Sequence, residues 1–185
     1  MLLNKLDYKK KKPFRDANLY VIVCEGEKRE VDYFNFFDGL TSKLKVHTYA
    51  SKDGRSSPDH VLRNASIQHE NYDFREEDEL WIVVDTDHHV DNIHKVVKEV
   101  DDNPSWFIAI SNPCFEVWLY YHIKEDIPDA DISQCSYWKE KVNDIIDGGF
   151  DSQRHPTLIE TAIKNSKKSY SADGYIPQVG STDIH

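Results

Sequence analysis

Four short apolar runs alternate with amphipathic stretches along most of the chain. Leu19-Tyr20-Val21-Ile22-Val23-Cys24, Leu80-Trp81-Ile82-Val83-Val84 and Trp106-Phe107-Ile108-Ala109-Ile110 are rich in Val, Ile and aromatics, and read as buried strands of a parallel sheet. Residues 44–50 alternate apolar and polar and make a further strand. Between them the apolar positions recur at helical spacing. A helix leads from Glu25-Gly26-Glu27-Lys28 to near Gly39, with Val31, Phe34, Phe37 and Leu40 on its apolar face and Tyr33 and Phe36 beside it. Ser57-Pro58 supplies an N-cap and first-turn proline for a helix to about Glu70. Another helix spans about 90–100, with Ile93, Val96, Val97 and Val100 on one face. Asn112-Pro113 opens the next, which carries Phe115, Trp118, Leu119 and His122. The order β-α-β-α-β-α-β-α predicts an α/β fold: a Rossmann-like, four-stranded parallel sheet flanked by helices. After Lys124 the pattern loosens into helices over about 136–147 and 156–169, separated by Gly148-Gly149, and a turn-rich end from Ser171 to His185. The organisation expected is a flexible basic tail over 1–17, the α/β domain over 18–125 and a helical C-terminal extension over 126–185.

At 185 residues, 39% hydrophobic and 30% charged, the chain has the composition of an ordinary soluble domain with a real core. It has no apolar stretch long enough to span a bilayer, and Met1 to Asp7 lacks the apolar core and cleavage site of a secretory signal. Cys24, Cys114 and Cys135 have no paired metal spacing. Cys24 reads as a buried strand residue, and a reducing cytoplasm is the expected compartment. The net charge of −10 is unevenly spread. From Glu70 to Asp102 there are 12 acidic residues against 3 basic ones, whereas Lys5, Lys9 to Lys12 and Arg15 crowd the N-terminus and Lys164, Lys167 and Lys168 sit near the other end. A basic arm of that kind touches phosphates or is simply a solvated tail.

The chemistry lies where two of the strands stop. The first runs into Glu25-Gly26-Glu27 and the third into Asp85-Thr86-Asp87. Ligands of parallel sheets gather beyond the carboxyl ends of the strands. Carboxylates brought there from distant segments repel one another, and a hard divalent cation such as Mg²⁺ relieves that repulsion. Acidic residues after a strand are also common as solvated loop residues. For Asp85 and Asp87 alone the two readings balance, and Glu25 in the matching position tips them toward a site. Glu116, at a helix start after strand four, is a further ligand, a general base, or a carboxylate favoured by the helix dipole. Lys28 and Arg29 are candidates for holding a phosphate. His88, His89 and His94 leave room for a zinc reading or a proton carrier, against the plainer one of exposed histidines. Phe115, Trp118 and Leu119 read as core. Tyr120 and Tyr121 read as packing residues that could otherwise stack on bases. No Walker glycine loop occurs.

An apolar strand ending in Glu-Gly, with Asp-x-Asp after the third strand, resembles the Toprim fold of primases, topoisomerases and OLD-type nucleases. More closely, Val21-Ile22-Val23-Cys24-Glu25-Gly26-Glu27-Lys28-Arg29-Glu30 with Tyr33-Phe34 resembles the opening motif of RloB-like proteins. Ser111-Asn112-Pro113-Cys114-Phe115-Glu116-Val117-Trp118-Leu119 is similar to their second signature. The resemblance covers about residues 18–170. It implies a Toprim-like domain in which Glu25 is the Toprim glutamate and Asp85 and Asp87 the aspartate pair, with Glu27, Glu30 and Glu116 on acidic positions of the signatures. Thr86 stands where a basic residue is expected, and His88-His89 where a more acidic continuation is expected. Pro177 to His185 looks like the beginning of a motif that is cut off.

The resemblance further implies a metal-dependent nuclease, a hydrolase of phosphodiester bonds using Mg²⁺ or Mn²⁺, that acts in bacterial anti-phage defence by abortive infection. Implied partners are nucleic acid (DNA or RNA, tRNA included) and an ABC-type or AAA-type ATPase encoded alongside. A homo-oligomer stays open. On this reading Glu25, Asp85, Asp87 and Glu27 hold the metal, Glu116 orients water and Lys28 assists at the phosphate. Two other readings stand beside it. One is a non-catalytic subunit of the same fold docking on a defence ATPase. The other is phosphotransferase or primase-type chemistry on the same metal site.

Overall fold

The structure, a computed structural model, describes residues 16–50, 58–86 and 90–185. The first three crossovers follow the sequence pattern closely. β1 (Asn18–Cys24) leads to α1 (Arg29–Asn35), β2 (Leu44–Ala50), α2 (Pro58–Asn71), β3 (Glu79–Asp85), α3 (Val90–Asp101) and β4 (Trp106–Asn112). These four strands are parallel neighbours in the order β2-β1-β3-β4. The chain therefore leaves β1 for β2 on one side and returns to pair β3 on the other. The direction of winding reverses at β1 and β3, and in open α/β sheets that reversal leaves a crevice at the strands' carboxyl ends.

Alternation along the strands splits the core in two. Val21, Val23, Leu80, Ile82, Val84 and Ile110 face α2 and α3, where Val61, Ala65, Ile93 and Val96 are fully buried. Ile22, Cys24, Val83 and Ala109 face the other side, against α1 and α4 (Glu116–Tyr121). Both faces are covered, which is why the strands read as nearly unbroken apolar runs.

Two elements depart from the pattern. Helix α1 stops at Asn35 rather than near Gly39, because Phe36 and Phe37 turn on tighter bonds to Tyr33 and Phe34 and Gly39 then takes a positive φ of 76°. Leu40, expected on the buried face, is 59% exposed, and Tyr33 is the residue at the centre of the packing. The helix expected from Asn112-Pro113 starts later, at Glu116, after a cis Asn112–Pro113 peptide. All six of its residues are buried.

The C-terminal segment corrects the expected four-stranded parallel sheet, because the turn-rich end after the helices supplies strands of its own. α5 (Cys135–Ile145) and α6 (Ile159–Ser169), preceded by a 3₁₀ turn at His155–Leu158, are followed by a small hairpin of β5 (Ala172–Asp173) and β6 (Ile176–Pro177). β7 (Ser181–Thr182) then joins the main sheet as a fifth, antiparallel strand beside β4. Its hold is polar: the Ser111 and Thr182 hydroxyls bond at 2.9 Å, the Ile110 amide donates to the Asp183 carboxylate, and Tyr121 donates to the Gly180 carbonyl at 2.7 Å. Burial pushes the Asp183 carboxyl up to about 7. Trp138, Val142 and Ala162 enter the same core as α4. Among the described residues, no helix is long and apolar enough to cross a membrane.

Candidate active site

Strand register brings the acidic residues together. Cys24 pairs with Val83, and the next amide, Glu25 N–H, donates to the Val83 carbonyl at 3.0 Å, so β1 and β3 end almost level. The Glu25 carboxylate turns across the gap and its Oε2 accepts the Asp85 amide at 3.0 Å. Gly26 follows, and its lack of a side chain has a local purpose. A Cβ there would collide with the Glu30 carboxylate, which folds back over the strand end from the first turn of α1. Glu116 arrives from the start of α4. Its Oε1 accepts from Arg29 at 3.3 Å and its Oε2 faces the Cys135 thiol at 3.8 Å.

These groups line a cavity of about 420 Å³ that holds five carboxylates (Glu25, Glu27, Glu30, Asp85 and Glu116) and three cationic side chains (Lys28, Arg29 and Lys139). Glu25, Glu30 and Glu116 are all less than 9% exposed. Burial, and then the charges of Glu30, Glu25 and Glu116, hold the Asp85 carboxyl well above its ordinary range. Burial also raises Glu30. Glu116 adds to that, while Glu30's own amide, Arg29 and Lys139 oppose it. The Cys24 thiol behind them is pushed up by burial and by Glu30 and Asp85. Like charges held this close disfavour their own ionisation, a condition that a bound cation reverses.

The predicted site residues fare differently. Glu25, Asp85 and Glu116 converge in the cavity. Glu27 is exposed at its rim. Lys28 is 83% exposed, and its Nζ lies 2.5 Å from Asp32 on the outer face of α1, so Arg29 is the cation turned inward. Asp87, His88 and His89 lie outside the described residues, as does the basic arm from Lys5 to Arg15. His94 packs edge-on against Tyr175 at 5.4 Å. Tyr120 and Tyr121 are buried and bond backbone carbonyls, which leaves neither ring presented for base stacking.

The resemblance put Glu30 on an acidic position of the opening motif without a role, although Gly26 four residues before it marks the close approach. Lys139 reaches the cavity from α5 with no local signal at all. Cys114 and Cys135, without a metal-type spacing in sequence, are brought together in space. With Glu116 they form the one group of three donors among the described residues whose ligand atoms all lie within 4.8 Å of one another.

No curated protein and no solved structure matches the chain. The family model described as RloB-like protein matches residues 20–185, from the third residue of β1 to the end of the sequence. With nearly the whole length matched, the chain belongs to the RloB-like protein family.

Proposed function

We propose that this RloB-like chain is a metal-dependent nuclease of Toprim-like architecture, a cytoplasmic effector of bacterial anti-phage defence that works with a partner ATPase. The observation that carries the reading is the meeting of Glu25 and Asp85 at the winding reversal of a parallel sheet, with Glu30 and Glu116 closing over them. The donor set suits Mg²⁺ or Mn²⁺: the side chains meeting there are carboxylates, and the Asp85 carboxyl is raised by neighbours of its own charge. Glu25 and Asp85 would hold the ion, and Asp87, two residues beyond β3, would complete the set.

A divalent cation in such a site supplies charge neutralisation at a phosphoryl group and a more acidic water. The chain's own residues do the rest. The Asp85 amide fixes one Glu25 oxygen and so orients the carboxylate at the strand end. Glu30, whose raised carboxyl makes it a readier proton acceptor, is placed to take a proton from an attacking water. Arg29, held by Glu116 at the rim, would receive the phosphate as a bidentate donor, with Lys28 adding a more distant charge. The surplus of carboxylates repels nucleic acid until a cation is bound.

Cleavage of end-labelled DNA, RNA and tRNA in Mg²⁺ or Mn²⁺, by the wild type and by Glu25→Ala and Asp85→Ala, tests this. Loss of cleavage in both variants with retained folding supports it. Cleavage that survives both substitutions refutes the assignment. No cleavage of any substrate by the chain together with its ATPase would favour the docking subunit instead.

A further inference from the structure

Cys114 lies in the connection between β4 and α4, two residues before Glu116, and Cys135 opens α5 after 20 intervening residues. Packing of α5 against α4 carries the second thiol to the first. Cys114 is fully buried, Glu116 is 5% exposed and Cys135 is half-buried, so the group is reached from one side. None of the three cysteines is in a disulfide. Cys114 Sγ lies 3.9 Å from the Cys135 carbonyl and Cys135 Sγ 3.8 Å from Glu116 Oε2. Glu116 thus divides its carboxylate, one oxygen toward Arg29 and the carboxylate cavity, the other toward the thiols.

We propose that Cys114, Cys135 and Glu116 form a binding site for a thiophilic divalent cation, zinc, set behind the carboxylate cavity and sharing Glu116 with its wall. Zinc–sulfur bonds of about 2.3 Å in a tetrahedron require donor separations of about 3.8 Å, and the three donor atoms already lie within 4.8 Å of one another. Closing the remaining gap takes a rotamer adjustment. Two soft thiolates select zinc over magnesium, whereas the all-oxygen cavity beside them selects the reverse. Binding releases both thiol protons, leaving two thiolates and a carboxylate around the dication and one net negative charge. The ammonium of Lys139, one turn along α5 and within electrostatic reach of Cys135 and Glu116, offsets it. Three protein donors leave the fourth tetrahedral position to water or another donor. An ion here would join the starts of α4 and α5 and fix Glu116, so that the wall of the carboxylate cavity depends on it.

The test titrates the chelator-treated, thiol-reduced full chain with Co²⁺ and then Zn²⁺, following the thiolate-to-cobalt charge-transfer absorption and the bound metal by elemental analysis. A charge-transfer band displaced by a single equivalent of zinc is expected. Cys114→Ser and Cys135→Ser should abolish the band, and Glu116→Gln should weaken zinc binding by more than about 10-fold, since even outer partners of metal ligands are worth that much. Glu25→Gln should leave the band intact, which separates this site from the proposed nuclease centre. Circular dichroism confirms that each variant is folded; the half-buried Cys135→Ser is the informative one if Cys114→Ser is not. A wild-type chain with reduced thiols that gives no band and retains no zinc overturns the proposal, as does a band that persists in folded Cys135→Ser.

Discussion

At Gly26 the backbone would tolerate a methyl group and the neighbouring side chain would not. Its φ lies outside the left-handed region, so Gly26→Ala brings no backbone strain. The new Cβ would instead meet the Glu30 carboxylate, the far end of a flexible side chain. Glu30 must then swing away from the strand end, at a cost of about 0.5–1.5 kcal/mol if it settles off-rotamer. Against this, alanine restricts the unfolded chain more than glycine, a gain of about 0.4–1 kcal/mol. The two nearly cancel, so the metal-free melting temperature should stay within about 4 °C of the wild type. The response to metal should not survive. With Mg²⁺ at ten times its Kd, the wild type gains about 1.4 kcal/mol, a rise of about 3–5 °C. A tenfold loss of affinity, from moving the Glu30 charge away from the ion's surroundings, cuts that gain to about 0.4 kcal/mol, or about 1 °C. Thermal unfolding with and without Mg²⁺ reads both quantities, and Glu30→Gln should reproduce the lost response without the collision. A Gly26→Ala protein whose Mg²⁺-induced rise equals that of the wild type would refute the reasoning, as would one that fails to fold.

Asp85→Asn should raise the metal-free melting temperature, because the folded state disfavours the Asp85 charge through burial and through Glu30, Glu25 and Glu116; the same variant should lose its Mg²⁺ response, and a lower metal-free melting temperature would count against the electrostatic account. The buried His122 ring donates from Nδ1 to the Trp118 carbonyl and accepts the Tyr33 hydroxyl at Nε2, and burial lowers its pKa to about 4. The unfolded chain therefore binds the extra proton first, so the contribution of His122 is complete above pH 6.5 and is lost as pH falls toward 4, a difference of about 3 kcal/mol. Urea unfolding across that window should show a smaller decline in His122→Gln than in the wild type; equal slopes would contradict this. Trp138, fully buried on α5 with its indole N–H on the Ile132 carbonyl at 2.8 Å, should cost about 3–5 kcal/mol when replaced by alanine, measured by urea unfolding at pH 7. A loss under about 1 kcal/mol would mean that α5 is not held as described.

The parallel sheet and the acidic strand ends were legible because each rests on a local signal. A strand covered on both faces must be apolar throughout, so β1, β3 and β4 stand out, and Glu25 and Asp85 mark where they leave the core. Their meeting depends on β1 and β3 being adjacent and level, which follows from the winding order and from no residue in either strand. Apolar spacing overextends α1 because Phe37 and Leu40 continue it, while Gly39, which takes a positive φ, ends the turn after Asn35. β7 is two residues long, too short for any periodicity, and is held by Thr182, Asp183 and the Gly180 carbonyl rather than by apolar burial. Lys139 and the thiol pair escaped for a related reason: α5 brings them to the site through tertiary packing.

The most direct test of the central claim is to locate the metal. Crystals of the chain soaked in Mn²⁺ and measured at a wavelength where manganese scatters anomalously should show a peak between the Glu25 and Asp85 carboxylates, with oxygen distances of about 2.0–2.2 Å. The same experiment on Asp85→Ala should show no peak there. A wild-type crystal in which that position stays empty at saturating Mn²⁺, or in which the ion lies away from both carboxylates, would contradict the account.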